Sequence, residues 1–211
     1  MIKETNYNYD STILSWTESK YVAGNLVKEI SYNSNGFVSK VKEYDAAGNE
    51  VKRTYYNNGI IDSAAEYDTA GKWGKSTYYN ADGSIGVAAE YEYDEAGNEV
   101  KSTDYNSGGV IIYWEEYEYD EAGNELKCTY SNGSWTEYEY DAAGNMIKYI
   151  VYYPDGSVSS WGEYEYDAAG NLAKLTTYYS GVVNAVYEYN AAGNQIKETN
   201  YNSDGGLLYV D

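Results

Sequence analysis

The sequence has no histidine, and it has one cysteine, one proline and one phenylalanine in 211 residues. Without histidine there is no Ser-His-Asp or Cys-His nucleophile and no ordinary zinc or copper site. The lone Cys128 cannot form an intramolecular disulfide. It stands at a repeat position that elsewhere holds Ser102, Arg53, Tyr149 or Leu175, which reads as a tolerated variant. Cations are scarce: 14 Lys and Arg face 34 Asp and Glu, for a net charge of −20. Such a surface repels phosphate backbones and anionic bilayers, so nucleic acid is excluded as a partner, while divalent cations or basic partners are attracted. No apolar run approaches the roughly 20 residues of a membrane span, and no membrane insertion is expected. The start, MIKETNYNYD, is polar and is no signal peptide.

Tyrosine, by contrast, is abundant, at 30 residues. A tyrosine ring can be buried only if its hydroxyl finds a partner, so many should lie at half-buried sheet surfaces. The chain is organised by one stretch, YEYDEAGNEVK (Tyr91–Lys101). It returns as YEYDEAGNELK (Tyr117–Lys127), YEYDAAGNMIK (Tyr138–Lys148) and YEYDAAGNLAK (Tyr164–Lys174). Turn glycines fall at Gly24, Gly48, Gly71, Gly97, Gly123, Gly144, Gly170 and Gly193, spaced by 21 to 26 residues. An internal period of this kind marks a repeat array. The uneven spacing suits hairpins better than the constant coils of a β-helix. Each repeat has a second glycine turn about ten residues on, as at Asn35-Gly36, Asp82-Gly83 and Asp155-Gly156, and these read as tight hairpin turns. Ser11 replaces that glycine in the first copy, which weakens its turn. Between turns, Tyr, Thr, Val and Ile alternate with polar residues at the strand period.

The expected fold is therefore all-β: an antiparallel meander of about eight hairpin repeats, roughly 16–17 strands, forming a single array over residues 1–211. Laid flat it would extend about 80 Å, and sheets this wide rarely stay flat. Curling into a spiral, solenoid-like or shell-like sheet is expected. Placing Tyr93 opposite Asn98 sets Tyr91 against Val100 and Glu90 against Lys101, and by repeat Glu116 against Lys127, Glu137 against Lys148 and Glu163 against Lys174. That register puts the YxY tyrosines, with Val51, Val100, Leu126, Ile147 and Ile196, on one face, expected to be buried. Glu, Lys, Thr and later tyrosines such as Tyr105 and Tyr179 take the other.

One candidate binding surface emerges. Trp114, Trp135 and Trp161 each precede a glutamate by two residues in consecutive repeats, and Trp16 holds the same register before Glu18. An exposed aromatic row beside carboxylates could stack sugar rings; alternatively the indoles fill gaps in the sheet. No catalytic residue, metal ligand or cofactor is expected. The Asp-Gly turns lack the glutamate spacing of a Ca²⁺ loop. Carboxylate pairs such as Glu115 and Glu116, or Asp120 and Glu121, recur too often to single out a glycosidase site.

The pattern Tyr-Asp-x-x-Gly-Asn followed by an aliphatic residue, seen at Tyr93-Asp94, Tyr119-Asp120, Tyr140-Asp141 and Tyr166-Asp167, resembles the YD repeat of RHS-type proteins. Asp becomes Asn at Tyr189-Asn190, and the first copy reads YVAGN. The resemblance implies an extracellular or cell-surface bacterial protein, or a teneurin-like adhesion protein, whose strands wind into a large β-spiral or hollow shell. Some members are wall-associated or proposed to bind carbohydrate. Three functions are weighed: a non-catalytic structural or binding segment of a surface or secreted protein, a glycan or cell-wall binding module using the tryptophans, and, more remotely, a glycan-active enzyme. Residues Ile2–Asn8 are identical to Ile196–Asn202. The chain thus reads as a segment of a longer array, and its end strands are expected to pair with each other or head to tail with a second copy.

Overall fold

The alternation of tyrosine, threonine and valine with charged residues resolves into eighteen strands and no helix in a computed structural model that describes residues 1–211. The strand count is slightly above expectation. The chain forms two compact units. The first comprises Met1–Tyr93 and Lys101–Trp114, the second Asp94–Val100 and Glu115–Asp211. The first unit contains β1 (Ile2–Tyr7), β2 (Ile13–Val22), β3 (Asn25–Asn33), β4 (Val38–Tyr44), β5 (Glu50–Asn57), β6 (Ile60–Tyr67), β7 (Trp73–Tyr79) and β8 (Ile85–Tyr93). Strands β9 (Glu99–Asn106) and β10 (Ile111–Tyr119) are divided between the units. The second unit continues with β11 (Glu125–Tyr130), β12 (Trp135–Tyr140), β13 (Met146–Tyr152), β14 (Val158–Tyr166), β15 (Leu172–Tyr179), β16 (Val182–Tyr189), β17 (Gln195–Tyr201) and β18 (Leu207–Val210). Within each unit every strand pairs antiparallel with the next in sequence.

The Gly-Asn turns after the first, Gly24-Asn25, are built alike. In Asp141–Asn145 the Gly144 N–H donates to the Asp141 carbonyl, and the Asp141 N–H to the Asn145 carbonyl. Asp141 Oδ1 accepts from the Ala143 and Asn145 amides at 2.8 and 2.9 Å, and Asn145 Nδ2 donates to Asp141 Oδ2 at 2.9 Å. Gly144 has φ +85°, where a side chain would be strained. Most of the second turns copy this five-residue form, as in Asn33–Phe37. Only Ala23-Gly24, Asn58-Gly59 and Ser180-Gly181 are two-residue turns with both φ angles positive, the type I′ geometry expected more widely.

A bulge beside the Gly-Asn turns corrects the anticipated register, whereas the β11–β12 pair runs without one. Glu118, not Glu116, lies opposite Lys127; Glu139 faces Lys148 and Glu165 faces Lys174. The loop is one residue longer than assumed, and one further residue, such as Leu126 or Val51, bulges out of the ladder. The two offsets sum to an even number, so Glu and Lys still share a face. The glutamates expected across the Gly-Asn turn instead face the lysine of the preceding strand: Lys75 opposite Glu90, Lys127 opposite Glu137, Lys148 opposite Glu163.

Burial also differs from expectation. Neither face is a sealed core, and no large side chain is fully buried. A row of small residues runs across the first unit: Val41, Thr54, Ala64, Thr77 and Ala88, each directly opposite the next. The opposite face buries Cys128, Thr136 and Ala185. Leu126 and Ile196, assigned to a buried face, are 40% and 61% exposed. Sitting next to the turn, they lie beyond the close cross-strand packing of the strand centres.

Candidate functional site

The four tryptophans of the sequence row lie on β2, β10, β12 and β14, and all are half-buried. Trp16 stacks on Tyr32 of the next strand, with centroids 4.8 Å apart and planes 11° apart. Trp135 stacks on Tyr152 at 4.8 Å and 12°, and Trp161 on Tyr178 at 4.4 Å and 9°. The stacking tyrosine of that repeat is Tyr178, not Tyr179. From the preceding strand a lysine approaches the ring: Lys3 lies 4.5 Å from the Trp16 centroid, Lys127 5.5 Å from Trp135 and Lys101 5.7 Å from Trp114, within cation–π range. The far indole edges of Trp16 and Trp135 lie beside turn glycines Gly36 and Gly156.

The glutamate two residues on completes each unit. Trp135 Nε1 donates to Glu137 at 3.0 Å. Tyr32 and Tyr178 hydroxyls donate to Glu18 and Glu163 at 3.3 and 3.2 Å, and Tyr105 donates to Glu90 at 2.9 Å. Burial first, then the neighbouring carboxylate, pushes the Tyr32 and Tyr178 hydroxyls above their ordinary pKa. Trp16 Nε1 is buried without a partner. Trp16, Trp135 and Trp161 are therefore packed within their own sheet, with a tyrosine on one side and, at Trp16 and Trp135, a lysine on the other. At these three positions one ring face is covered by tyrosine.

A fifth tryptophan, Trp73, lies on the other face and is 49% exposed. With Tyr78, Val87, Tyr91 and Ile112 it lines a groove of about 270 Å³ over the small residues Ser76 and Ala89. Sequence reasoning passed over it because it stands at the turn position that holds Glu50, Glu99 and Glu125 in other repeats.

On that same face Glu50 accepts from Arg53 Nε at 2.6 Å and Nη2 at 3.0 Å, and Lys42 Nζ lies 3.1 Å away. Arg53 also stands 5.7 Å from the Tyr67 ring centroid. Burial would raise the Glu50 carboxyl, but Arg53 and Lys42 hold it below the usual value. Later repeats lack these cations. Burial raises Glu99 and Glu125, and the charge of Glu115 raises both further. Tyr117 OH donates to Glu115. Cys128, buried beside them, has its thiol pushed up to about 11, chiefly by burial, which makes it a poor nucleophile. Glu115 and Glu116 are adjacent in β10 and project to opposite faces, so they cannot flank one bond.

Residues 119–158 and 166–206 match the family model described as RHS Repeat. No curated protein matches the chain in sequence. In fold the chain is similar to part of the Tc holotoxin pore of Photorhabdus luminescens, with a TM-score of 0.54 and 18% identity over 92% of this chain and 12% of that one. A TcdB2-TccC3-Cdc42 crystal structure gives a TM-score of 0.54 and 18% identity over 93% of this chain and 12% of that one. The TcdB2-TccC3 crystal structure gives the same figures. The chain thus spans about an eighth of the length of these structures. Residues 119–158 and 166–206 are thus RHS repeats, and the Tyr-Asp turns and antiparallel hairpins of the rest of the chain follow the same pattern.

Proposed function

We propose that the chain is a non-catalytic structural segment, a stretch of sheet wall, of a larger RHS-repeat protein that is secreted or displayed at the bacterial surface. One observation carries this reading: the same turn, Glu–Lys ladder and small-residue spine recur in hairpin after hairpin, so most side-chain chemistry is committed to joining one repeat to the next. Even the tyrosine hydroxyls take part, as Tyr119 and Tyr166 donate at 2.8 Å to the carbonyls of Glu99 and Met146, one repeat back.

The test is exchangeability. Removing residues 141–166, one 26-residue period between Gly144 and Gly170, joins Tyr140 to Asp167 and restores the Tyr-Asp turn. The shortened chain should fold with a proportionately smaller denaturant dependence of unfolding. Loss of folding would overturn the reading. Glycan binding has no support from the packed indoles, and a glycan array should show none; binding abolished by Trp135→Ala and Trp161→Ala would replace the structural reading.

The partners inferred are protein strands. β1 repeats the residues of β17, whose edges both carry strands, β16 and β18. The β1 edge away from β2 is thus suited to an antiparallel strand of a second copy or of a neighbouring repeat. A monomer mass independent of concentration in light scattering would remove association between copies.

A further inference from the structure

We propose that Asn58 is a site of spontaneous modification: in the exposed β5–β6 turn it loses its side-chain amide as ammonia and becomes a mixture of aspartate and isoaspartate.

The chain has three Asn-Gly pairs, Asn35-Gly36, Asn58-Gly59 and Asn132-Gly133, and all six residues are exposed. A glycine after asparagine leaves its amide nitrogen unshielded by a β-carbon, so that it can approach the side-chain carbonyl. By sequence alone the three pairs should react alike. The fold separates them at the two groups that react, the glycine amide and the asparagine carboxamide.

At the first pair the Gly36 N–H donates to the Asn33 carbonyl at 3.0 Å. Asn33 Oδ1 fastens the same turn, accepting from the Asn35 and Phe37 amides at 3.0 Å each. The third pair is tied at both groups. Gly133 N–H donates to the Tyr130 carbonyl at 2.8 Å. Asn132 Oδ1 accepts from the Ser134 amide and hydroxyl at 2.9 and 2.6 Å, which commits the carboxamide to Ser134. Asn58 differs. Its loop is a two-residue turn, with φ +50° at Asn58 and +82° at Gly59, closed by the Asn57–Ile60 pair. The Gly59 N–H donates to no acceptor, and the Asn58 carboxamide makes no hydrogen bond. The other two turns of this form have Ala23 and Ser180 in that place and carry no carboxamide. Asn58 alone combines a free carboxamide with a free glycine amide.

A peptide nitrogen is delocalised into its carbonyl and attacks only after its proton has gone to hydroxide or a buffer base. A hydrogen bond from that N–H holds the proton and fixes the nitrogen in the turn. At Asn58 the deprotonated Gly59 nitrogen adds to Cγ and forms the C–N bond of a five-membered imide. The Cγ–Nδ2 bond breaks, and Nδ2 leaves as ammonia with a proton from solvent. Water then opens the imide. Cleavage of the new bond to Cγ gives aspartate; cleavage of the old peptide bond gives isoaspartate, whose backbone runs through the side chain and is longer by one methylene. Water is the only co-reactant. Either product places a negative charge, and isoaspartate a longer loop, beside the Asn57–Ile60 and Tyr56–Ile61 pairs.

Peptide mass spectrometry of the full chain during incubation at mildly alkaline pH tests this. Asn58 should be lost about fivefold faster than Asn35, the factor that one ordinary hydrogen bond supports, and faster still than Asn132. In urea, with the turns unfolded, the three rates should converge. A rate at Asn35 or Asn132 that equals or exceeds that at Asn58 overturns the proposal. So does the same spread in urea, which would assign the order to sequence and not to the turn. Asn58→Gly suits the positive φ of the turn and should abolish the early phase of ammonia release; an early phase that survives it overturns the proposal. Gly59→Ala would not serve, because its β-carbon would lie 3.2 Å from the Phe37 ring.

Discussion

Tyr152 lies flat against Trp135 across the β12–β13 pair, with centroids 4.8 Å and planes 12° apart, while Lys127 approaches from the opposite strand. The indole is a cross-strand strut. A double-mutant cycle with Trp135→Ala and Tyr152→Ala should give a coupling energy of about 1 kcal/mol in urea unfolding. Additive losses would mean that the rings merely adjoin.

Ser11 holds φ +66° at a turn position where Gly36, Gly83 and Gly156 stand in other repeats. A left-handed conformation costs a residue with a β-carbon about 1 kcal/mol. The turn is otherwise complete, with the Asn8 N–H donating to the Thr12 carbonyl at 2.8 Å. Ser11→Gly should therefore stabilise the chain by up to about 1 kcal/mol, and Gly144→Ala, at φ +85°, should destabilise it by a similar amount. Denaturant midpoints of the two variants, moving in opposite directions, check this.

The ion pairs are unequal. Lys75–Glu90 is half exposed, at 40% and 43% of the side chains, whereas the Glu50 side chain is only 18% exposed and is held by a guanidinium fork. Lys75→Met should cost less than about 1 kcal/mol. Arg53→Ala should cost about 2 kcal/mol, because it strips a charged hydrogen bond from a largely buried carboxylate. Arg53→Lys should recover only part, having no bidentate fork.

At acid pH the turns should fail. Hydrogen bonds from Asn98, Asn124, Asn145 and Asn171 hold Asp94, Asp120, Asp141 and Asp167 below the usual aspartate value of 3.8. A depressed folded pKa gives stability that is present above 3.8 and lost as the pH falls below it. Asn190 shows that asparagine can serve in this place, its Oδ1 accepting from the Ala192 and Asn194 amides at 3.0 and 3.1 Å. Replacing the four aspartates by asparagine should leave urea unfolding at pH 7 little changed and reduce its decline at pH 2.5.

The repeat, the turns and the sharing of a face by Glu, Lys and Trp were legible because glycine marks positive φ and strands alternate with period two. The register was not. Leu126 and Val51 look like ordinary strand aliphatics, and only the hydrogen-bond ladder shows that they bulge. The Trp–Tyr stacks were hidden for the same reason, since a partner across the sheet cannot be named until the register is known. The expectation of one buried face failed because tyrosine, unlike leucine, can stay half solvated, so alternation alone did not say which face was dry. Trp73 was missed because it departs from its repeat position, and the pattern drew attention to what recurs.

The placement of Lys52, Lys75, Lys127, Lys148 and Lys174 opposite a glutamate on both flanking strands gives the sheet a form of fault tolerance. When substitution removes one acid, the lysine swings to the other, and the damage stops at a single strand. Individual copies are then free to drift, as the degenerate YVAGN copy and the uneven spacing of 21 to 26 residues show. Selection need act only on the average quality of the ladder, not on any one rung.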